Sequence, residues 1–218
     1  MKETRYLIDV AIETYCEEHT TEESDVLKRL ERETNITTLM PRMLSGKVQG
    51  KFLSILTSLF KPKNILELGT FTGYSTICLA SELPNDGHLV TIDKNPEIED
   101  IARKYFKESG LADKIDFYIG NALYIIPRLN RQFDLVFLDA DKERLLDYYK
   151  MVIDKIPVGG IILVDNILWN GKVIDKKCDD KITKEIRMFN DFVQLDERVE
   201  NVLLPFRDGL MMIKKIIE

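Results

Sequence analysis

The sequence predicts an α/β protein with a doubly wound, mainly parallel sheet of seven strands, an antiparallel last strand and a helical extension at the amino terminus. Two observations support this fold class. From residue 64 onward, short apolar runs alternate with helical stretches, which is typical of a parallel sheet. Before that point, apolar residues recur at the spacing of amphipathic helices. The chain has 218 residues, a length that favours one domain with an extension over two independent domains.

Five apolar runs are predicted to be the parallel strands, and they cover residues 65–68, 88–93, 115–119, 133–139 and 160–165. Two further runs, 199–204 and 210–213, are separated by a Pro-Phe-Arg-Asp-Gly turn that predicts a hairpin. The last strand is therefore expected to enter the sheet antiparallel. This order of elements is Rossmann-like.

The amino-terminal residues 1–60 are predicted to form the helical extension of a single domain, 1–218, whose core covers 64–218. Apolar residues repeat at helical spacing in three groups: Tyr6, Leu7, Val10 and Ala11; Val26, Leu27 and Leu30; Phe52, Leu53, Leu56, Leu59 and Phe60. Thr20 followed by Glu23 matches a capping box, which predicts a helix start. Pro41 and Gly46 interrupt the pattern and predict a loop.

Composition excludes several classes of protein. With 44% hydrophobic and 31% charged residues, the chain is neither disordered nor a disulfide-stapled small fold. Its three cysteines match no metal or disulfide spacing, which predicts reduced thiols and a cytoplasmic location, with Cys78 in the core. No secretory signal is evident, and the longest aliphatic run, 161–164, is far shorter than the roughly 20 residues of a membrane helix. No membrane partner is expected.

The first predicted strand ends in a turn that contains glycine. Glu67 lies in the strand, and Gly69 and Gly73 follow it, so that the backbone can approach a ligand closely. The second strand ends at Asp93, twenty residues after Gly73. That spacing suits a carboxylate that accepts both hydroxyls of an adenosine ribose.

Binding sites for nicotinamide cofactors, flavins and S-adenosylmethionine all combine a turn that contains glycine with an acidic residue at the end of the next strand. The turn lacks the Gly-x-Gly-x-x-Gly spacing that receives a pyrophosphate, and an acidic pocket suits the positive charge of a sulfonium. S-adenosylmethionine is therefore the favoured cofactor. For Glu67 the alternative is a purely structural pairing with a lysine or a backbone amide, since a buried carboxylate must find some partner.

Oxygen ligands follow two later strands. Asp139 ends the fourth predicted strand, and Asp165 and Asn166 end the fifth. Two carboxylates and an amide carbonyl are what octahedral Mg²⁺ accepts, and no His or Cys lies nearby to favour zinc. The alternative, that each aspartate merely caps the following turn, is reasonable for one residue but less so for three.

These residues also resemble a known family. The stretches ILELGTFTGYS at 65–75, FLDADK at 137–142 and DNILWNG at 165–171 resemble the cation-dependent O-methyltransferases of the catechol and caffeoyl-CoA type. The resemblance covers nearly the whole chain, including 42–46 upstream and 204–209 downstream.

The resemblance implies a role for individual residues. It implies a metal held by Asp139, Asp165 and Asn166, with Lys142 beside the reacting hydroxyl and Asn170 in contact with substrate. It favours a homodimer. The S-adenosylmethionine pocket that it implies is lined by Ser45, Glu67, Gly69, Thr70, Ser75, Asp93, Ala122 and Asp141.

The expected activity is transfer of a methyl group from S-adenosylmethionine to a hydroxyl of a catechol-like (vicinal diphenol) small molecule or its coenzyme A ester. The expected metal is Mg²⁺, or another divalent cation such as Mn²⁺ or Ca²⁺. Asp139 and Lys142 are the catalytic candidates, and Lys142 either accepts the proton or stabilises the phenolate. Residues 171–177 are expected to border the acceptor site. Their lysines are expected to be solvated, and the alternative is that they meet an anionic tail such as a coenzyme A phosphate.

Three alternatives stay open at this point. A tRNA or nucleoside hydroxyuridine O-methyltransferase would use the same cofactor and metal, although a net charge of −6 argues against a nucleic-acid partner. A nicotinamide-dependent oxidoreductase is disfavoured by the glycine spacing. A cofactor-binding protein without catalysis is disfavoured because Asp139, Lys142, Asp165 and Asn166 are all present.

Overall fold

The computed structural model describes residues 8–218, which fall into two compact units. The amino-terminal unit comprises residues 13–122, and the carboxyl-terminal unit comprises residues 123–218 with residues 8–12. The first unit therefore combines most of the helical extension with the glycine turn, whereas the second holds both of the strands whose ends carry the predicted metal ligands. That the whole chain is a single domain stays a prediction.

Three helices precede the first strand, as predicted: α1 (Val10–Glu18), α2 (Asp25–Thr37) and α3 (Gly46–Phe60). The predicted loop between α2 and α3 contains one turn of 3-10 helix, Pro41–Met43. Leu30 and Leu53, both expected on apolar helix faces, are fully buried. Tyr6 and Leu7 lie outside the described residues.

The predicted capping box at Thr20 and Glu23 is wrong. Thr20 lies beyond the end of α1, and its hydroxyl donates to the carbonyl of Cys16 at 2.7 Å. The last carbonyls of a helix lack intrahelical partners, and a nearby hydroxyl satisfies one of them. The residue that caps α2 is Ser24, whose Oγ accepts from the backbone N–H of Leu27.

The amino-terminal unit contains three parallel strands: β1 (Asn64–Leu68), β2 (His88–Asp93) and β3 (Ile115–Ile119). β2 pairs with β1 on one side and β3 on the other, so that Ile92 lies opposite Leu68 and Asp93 opposite Ile119. Two helices follow β1 and β2, α4 (Tyr74–Ala80) and α5 (Glu99–Glu108). Every residue of α4 is buried, including Cys78 as predicted.

The carboxyl-terminal unit contains four strands: β4 (Leu135–Leu138), β5 (Ile161–Asp165), β6 (Val199–Leu204) and β7 (Leu210–Lys215). β5 pairs parallel with β4 and antiparallel with β7, and β6 pairs antiparallel with β7. The predicted hairpin and antiparallel last strand are confirmed. Between these strands lie α7 (Leu145–Ile153) and α8 (Lys181–Gln194), and the short helix α6 (Ala122–Ile125) precedes β4.

β4 is shorter than the predicted strand 133–139, because its regular pairing covers only four residues. The seven strands found within residues 8–218 belong to one sheet with the order β3-β2-β1-β4-β5-β7-β6. Both central parallel strands, β1 and β4, are almost wholly buried, as expected when helices cover both faces of a sheet. The predicted fold class is confirmed.

No helix within residues 8–218 is long and apolar enough to cross a lipid bilayer. The three cysteines are free thiols.

The segment after α8 contains an ion pair between Asp196 and Arg198 that is hydrogen-bonded to α7. The hydroxyl of Tyr149 donates to one carboxylate oxygen of Asp196 at 2.9 Å, and the guanidinium of Arg198 donates to both oxygens at 2.9 and 2.8 Å. The Asp196 side chain is only 7% exposed. The hydrogen bonds from Arg198 lower the pKa of Asp196 from 3.8 to about 2.

This ion pair predicts acid-sensitive stability. A depressed pKa means that the contribution is complete above the ordinary pKa of an aspartate and is lost as the pH falls through the folded-state value. Asp196→Asn should therefore lower the free energy of unfolding by about 2 kcal/mol at pH 7 and by roughly half of that at pH 3. Urea titrations at the two pH values measure the difference, with the exposed Asp113→Asn as the control. An equal loss at both pH values would contradict the assignment.

Candidate active site

The turn that follows β1 depends on glycine. Gly69 and Gly73 have positive φ angles of 100° and 94°, and Phe71 between them also has a positive φ of 46°. A Cβ on Gly73 would lie 2.5 Å from Cε1 of Phe106, a distance that real Cβ atoms do not tolerate. Only glycine fits there, and α4 begins at the next residue.

Glu67 lies at the centre of a buried network of hydroxyl groups. One of its oxygens accepts from Ser75 Oγ at 2.6 Å, and the other accepts from Thr91 Oγ1 at 2.7 Å and from Thr76 Oγ1. Thr91 Oγ1 in turn lies 2.5 Å from Thr70 Oγ1. Serine and threonine hydroxyls therefore hold this fully buried carboxylate, and it fixes the side chains of Ser75 and, through Thr91, Thr70.

Asp93 connects the end of β2 to the glycine turn. Its Oδ2 accepts from the backbone N–H of Phe71 at 2.8 Å, and its Oδ1 accepts from Asn95 N–H at 2.9 Å. The Asp93 carboxylate thus stabilises the turn at Phe71, which has a positive φ angle. As the sequence spacing predicts, the structure brings Asp93 and the glycine turn together.

Two other candidates of the cofactor pocket lie at the beginnings of helices. Ser45 immediately precedes α3 and is 7% exposed, and Ala122 is the first residue of α6 and is 8% exposed. Their assignment to the cofactor stays a prediction.

In the carboxyl-terminal unit, the register of the sheet places the two predicted metal-binding carboxylates side by side. Leu138 pairs with Val164, so Asp139 and Asp165 occupy the next positions of β4 and β5. Burial raises the pKa of Asp139 from 3.8 to about 6; the Lys142 ammonium opposes that rise, and the negative charge of Asp165 adds to it. The two carboxylates therefore share one poorly solvated region, where a cation would be stabilised.

The donor set fits a hard divalent cation in its chemistry. It consists of two carboxylates and the Asn166 amide, which are the oxygen ligands that Mg²⁺ and Ca²⁺ prefer. Asn166 has a φ of 56°, and its backbone N–H donates to Asp165 Oδ1 at 2.8 Å. Across residues 8–218, no three His, Cys, Asp or Glu side chains form a possible metal site; the predicted set contains only two. The metal itself stays a prediction.

Lys142 is a buried lysine in an ion pair. It is the first residue of a 3-10 turn, Lys142–Arg144, but its side chain is only 9% exposed and its Nζ lies 3.0 Å from Asp139 Oδ1. Lys142 is therefore not a solvated lysine at a helix start. Asp141, by contrast, caps that turn: its side chain accepts from the backbone N–H of Glu143 at 3.2 Å.

The sequence argument missed Asp208 as a member of this acidic group. Its carboxylate accepts from the backbone N–H of Asn170, the exposed residue predicted to meet substrate. Burial raises the pKa of Asp208, and the negative charge of Asp165 adds to the effect. The predicted hairpin could have revealed the position of Asp208. Because Leu210 pairs with Asp165, the turn before β7 must lie at the carboxyl end of β5.

Comparison with known proteins identifies the family. The sequence model of the O-methyltransferase family matches residues 17–216. Over 186 residues, the chain is 38% identical to caffeoyl-CoA O-methyltransferase 1 from Eucalyptus globulus, covering 80% of this chain and 75% of that protein.

Solved structures give the same result. An O-methyltransferase from Bacillus cereus in complex with SAH superposes with a TM-score of 0.87 at 29% identity, covering 94% of this chain and 97% of that one. The O-methyltransferase TomG from Streptomyces achromogenes, in complex with SAM, gives 0.86 at 29% identity, covering 94% and 96%. The expected methyltransferase class of enzyme is thereby confirmed, and the chain belongs to the O-methyltransferase family.

Proposed function

We propose that this protein transfers a methyl group from S-adenosylmethionine to a hydroxyl of a catechol-like (vicinal diphenol) small molecule or its coenzyme A ester, with a divalent cation. The observation that carries the proposal is the pair of adjacent carboxylates, Asp139 and Asp165, with the buried Lys142 ion-paired to the first. The likeness to a caffeoyl-CoA O-methyltransferase supports the class of acceptor.

We propose that S-adenosylmethionine binds at the glycine turn of the amino-terminal unit. When bound, it supplies an electrophilic methyl group on a positively charged sulfur. Asp93 would accept the ribose hydroxyls, since its position at the end of β2 beside the turn is the one such a carboxylate takes. Ser45, Gly69, Thr70, Ser75 and Ala122 would complete the pocket with Glu67.

Asp139, Asp165 and Asn166 would hold the divalent cation, most simply Mg²⁺. When bound, such a cation lowers the pKa of a hydroxyl and fixes its direction. Methyl transfer is an in-line displacement, so the task of the protein is to align the two reacting groups and to exclude other geometries. The short connections that follow β4 and β5 favour such alignment, because rigid strands hold the ligands.

Of the two roles considered for Lys142, the ion pair supports stabilisation of the phenolate. Its Nζ lies 3.0 Å from Asp139 Oδ1, and a positive charge placed there beside the acceptor oxygen would favour the ionised hydroxyl. Asn170 would contact the acceptor from the segment that follows Asn166, where Asp208 holds its backbone.

The assembly and location of the enzyme follow as further proposals. The family resemblance supports a homodimer, and three free thiols support a reducing, cytoplasmic compartment. Light scattering at several protein concentrations tests the first of these.

The metal proposal predicts reversible loss of activity on chelation. Asp139→Ala, Asp165→Ala and Asn166→Ala should each lower kcat/KM for a vicinal diphenol by at least about 100-fold, because a metal Lewis acid contributes several kcal/mol to the transition state. Excess EDTA should abolish methyl transfer, and added Mg²⁺ should restore it. Asp113→Ala, an exposed aspartate, is the control. Full activity in excess chelator would refute a metal mechanism.

The cofactor proposal predicts a specific binding defect. Asp93→Ala should weaken S-adenosylmethionine binding by about tenfold or more, because the ribose hydroxyls and the Phe71 N–H both lose a charged acceptor. Asp93→Asn keeps one acceptor oxygen and should lose less. Calorimetry with the cofactor, and separately with Mg²⁺, measures both. Unchanged cofactor affinity with weakened metal binding would show that the assignment is wrong.

The choice of acceptor predicts which compounds take up a labelled methyl group. A panel of catechols, flavonoids, coenzyme A thioesters of hydroxylated aromatics, and hydroxyuridine-containing tRNA should yield product only with molecules that carry vicinal hydroxyls on an aromatic ring. A catechol monomethyl ether, which lacks the second free hydroxyl, is the matched control. Uptake by tRNA with no uptake by any diphenol would replace this proposal with a nucleoside methyltransferase.

A further inference from the structure

The chain that follows the predicted metal ligands adopts an unusual backbone conformation. We call residues 167–178 the rim segment. Within it, Trp169 and Asn170 both have a φ of 51°, and Gly171 has a φ of 72°. The left-handed conformation costs an ordinary residue on the order of 1 kcal/mol, and such conformations persist only where surrounding contacts enforce them. The rim segment therefore needs to be held from outside.

Arg187, on α8, makes the most extensive set of these contacts. Its Nε and Nη1 donate to the carbonyls of Val173 and Cys178, both at 2.8 Å. Its Nη2 donates to the carbonyls of Lys172 at 2.8 Å and Asp175 at 2.6 Å. One guanidinium thus gathers four backbone carbonyls from a seven-residue stretch. The planar, multi-donor fork of arginine suits this arrangement.

Two neighbouring contacts hold the beginning of the rim segment. Asn190 lies one turn after Arg187 on the same face of α8, and its Nδ2 donates to the carbonyl of Ile167 at 3.1 Å. From the hairpin, Asp208 accepts from Asn170 N–H. A Cβ on Gly209 would lie 2.7 Å from the backbone nitrogen of Leu168, so the hairpin backbone itself lies against the segment.

We propose that Arg187 is a positioning residue: it holds residues 172–178, the part of the rim segment that follows the left-handed turn, and thereby sets the affinity for the methyl acceptor. The conformational half of this proposal stands on the hydrogen bonds alone, whereas the half concerning the acceptor rests on the proposed function. A lysine cannot replace the residue, because an ammonium has three donors at one point and cannot reach four carbonyls arranged around a planar group.

The chain offers two direct probes of the conformation. Trp169 is the only tryptophan, so the tryptophan emission of the protein reports on the rim segment alone. Its indole N–H is buried without a hydrogen-bond partner among the described residues. Lys172, Lys176 and Lys177 provide trypsin sites within the segment. Neither probe requires the enzyme to turn over any substrate.

The first experiment compares Arg187→Met and Arg187→Lys with wild type and with the exposed Arg128→Met of the same unit as the control. Both Arg187 variants should show red-shifted Trp169 emission and cleavage in the rim segment at least about tenfold faster, because local opening governs proteolysis. Arg187→Lys keeps the charge and most of the stem, so it remains informative if Arg187→Met folds poorly. Wild-type emission and cleavage rates in Arg187→Lys would overturn the proposal.

The second experiment separates positioning from general destabilisation. Both variants should raise KM for a vicinal diphenol by about tenfold while KM for S-adenosylmethionine changes by less than about twofold. A fall in kcat with both KM values unchanged, or an equal rise in both, would overturn the link to the acceptor. If wild type turns over no diphenol, the proposed function fails, yet emission and proteolysis still decide whether Arg187 holds the rim segment.

Discussion

The carboxyl-terminal unit depends on how it stabilises two carboxylates that its sheet forces together. The parallel register of β4 and β5 places Asp139 beside Asp165, and burial makes their negative charges costly. The ion pair with Lys142 offsets part of that cost. A region with neighbouring carboxylates and other oxygen donors binds a hard cation favourably, so the same placement of Asp139 beside Asp165 supports the proposed cation site.

The amino-terminal unit stabilises a buried carboxylate in a different way. Glu67 accepts hydrogen bonds from serine and threonine hydroxyls. Asp93 similarly accepts from backbone N–H groups.

The rim segment shows how distant parts of one unit cooperate. Its backbone follows Asp165 and Asn166 directly, yet its conformation is fixed by α8 and by the hairpin between β6 and β7. Arg187 donates to backbone carbonyls, which every type of residue carries, so these hydrogen bonds do not depend on the side chains of the accepting residues.

The sequence by itself determined the strands, their mostly parallel pairing and the hairpin, because alternation of apolar runs with helices is a local pattern. It also located Glu67, Asp93, Asp139 and Asp165, since strand-end positions follow from that pattern. Only the tertiary structure decided that Ser24 and not Thr20 caps α2, and that Lys142 is buried. It alone decided that Asp208 joins the acids and that Arg187 holds the rim segment, because these contacts join residues that are distant in sequence or depend on burial, which no local spacing records.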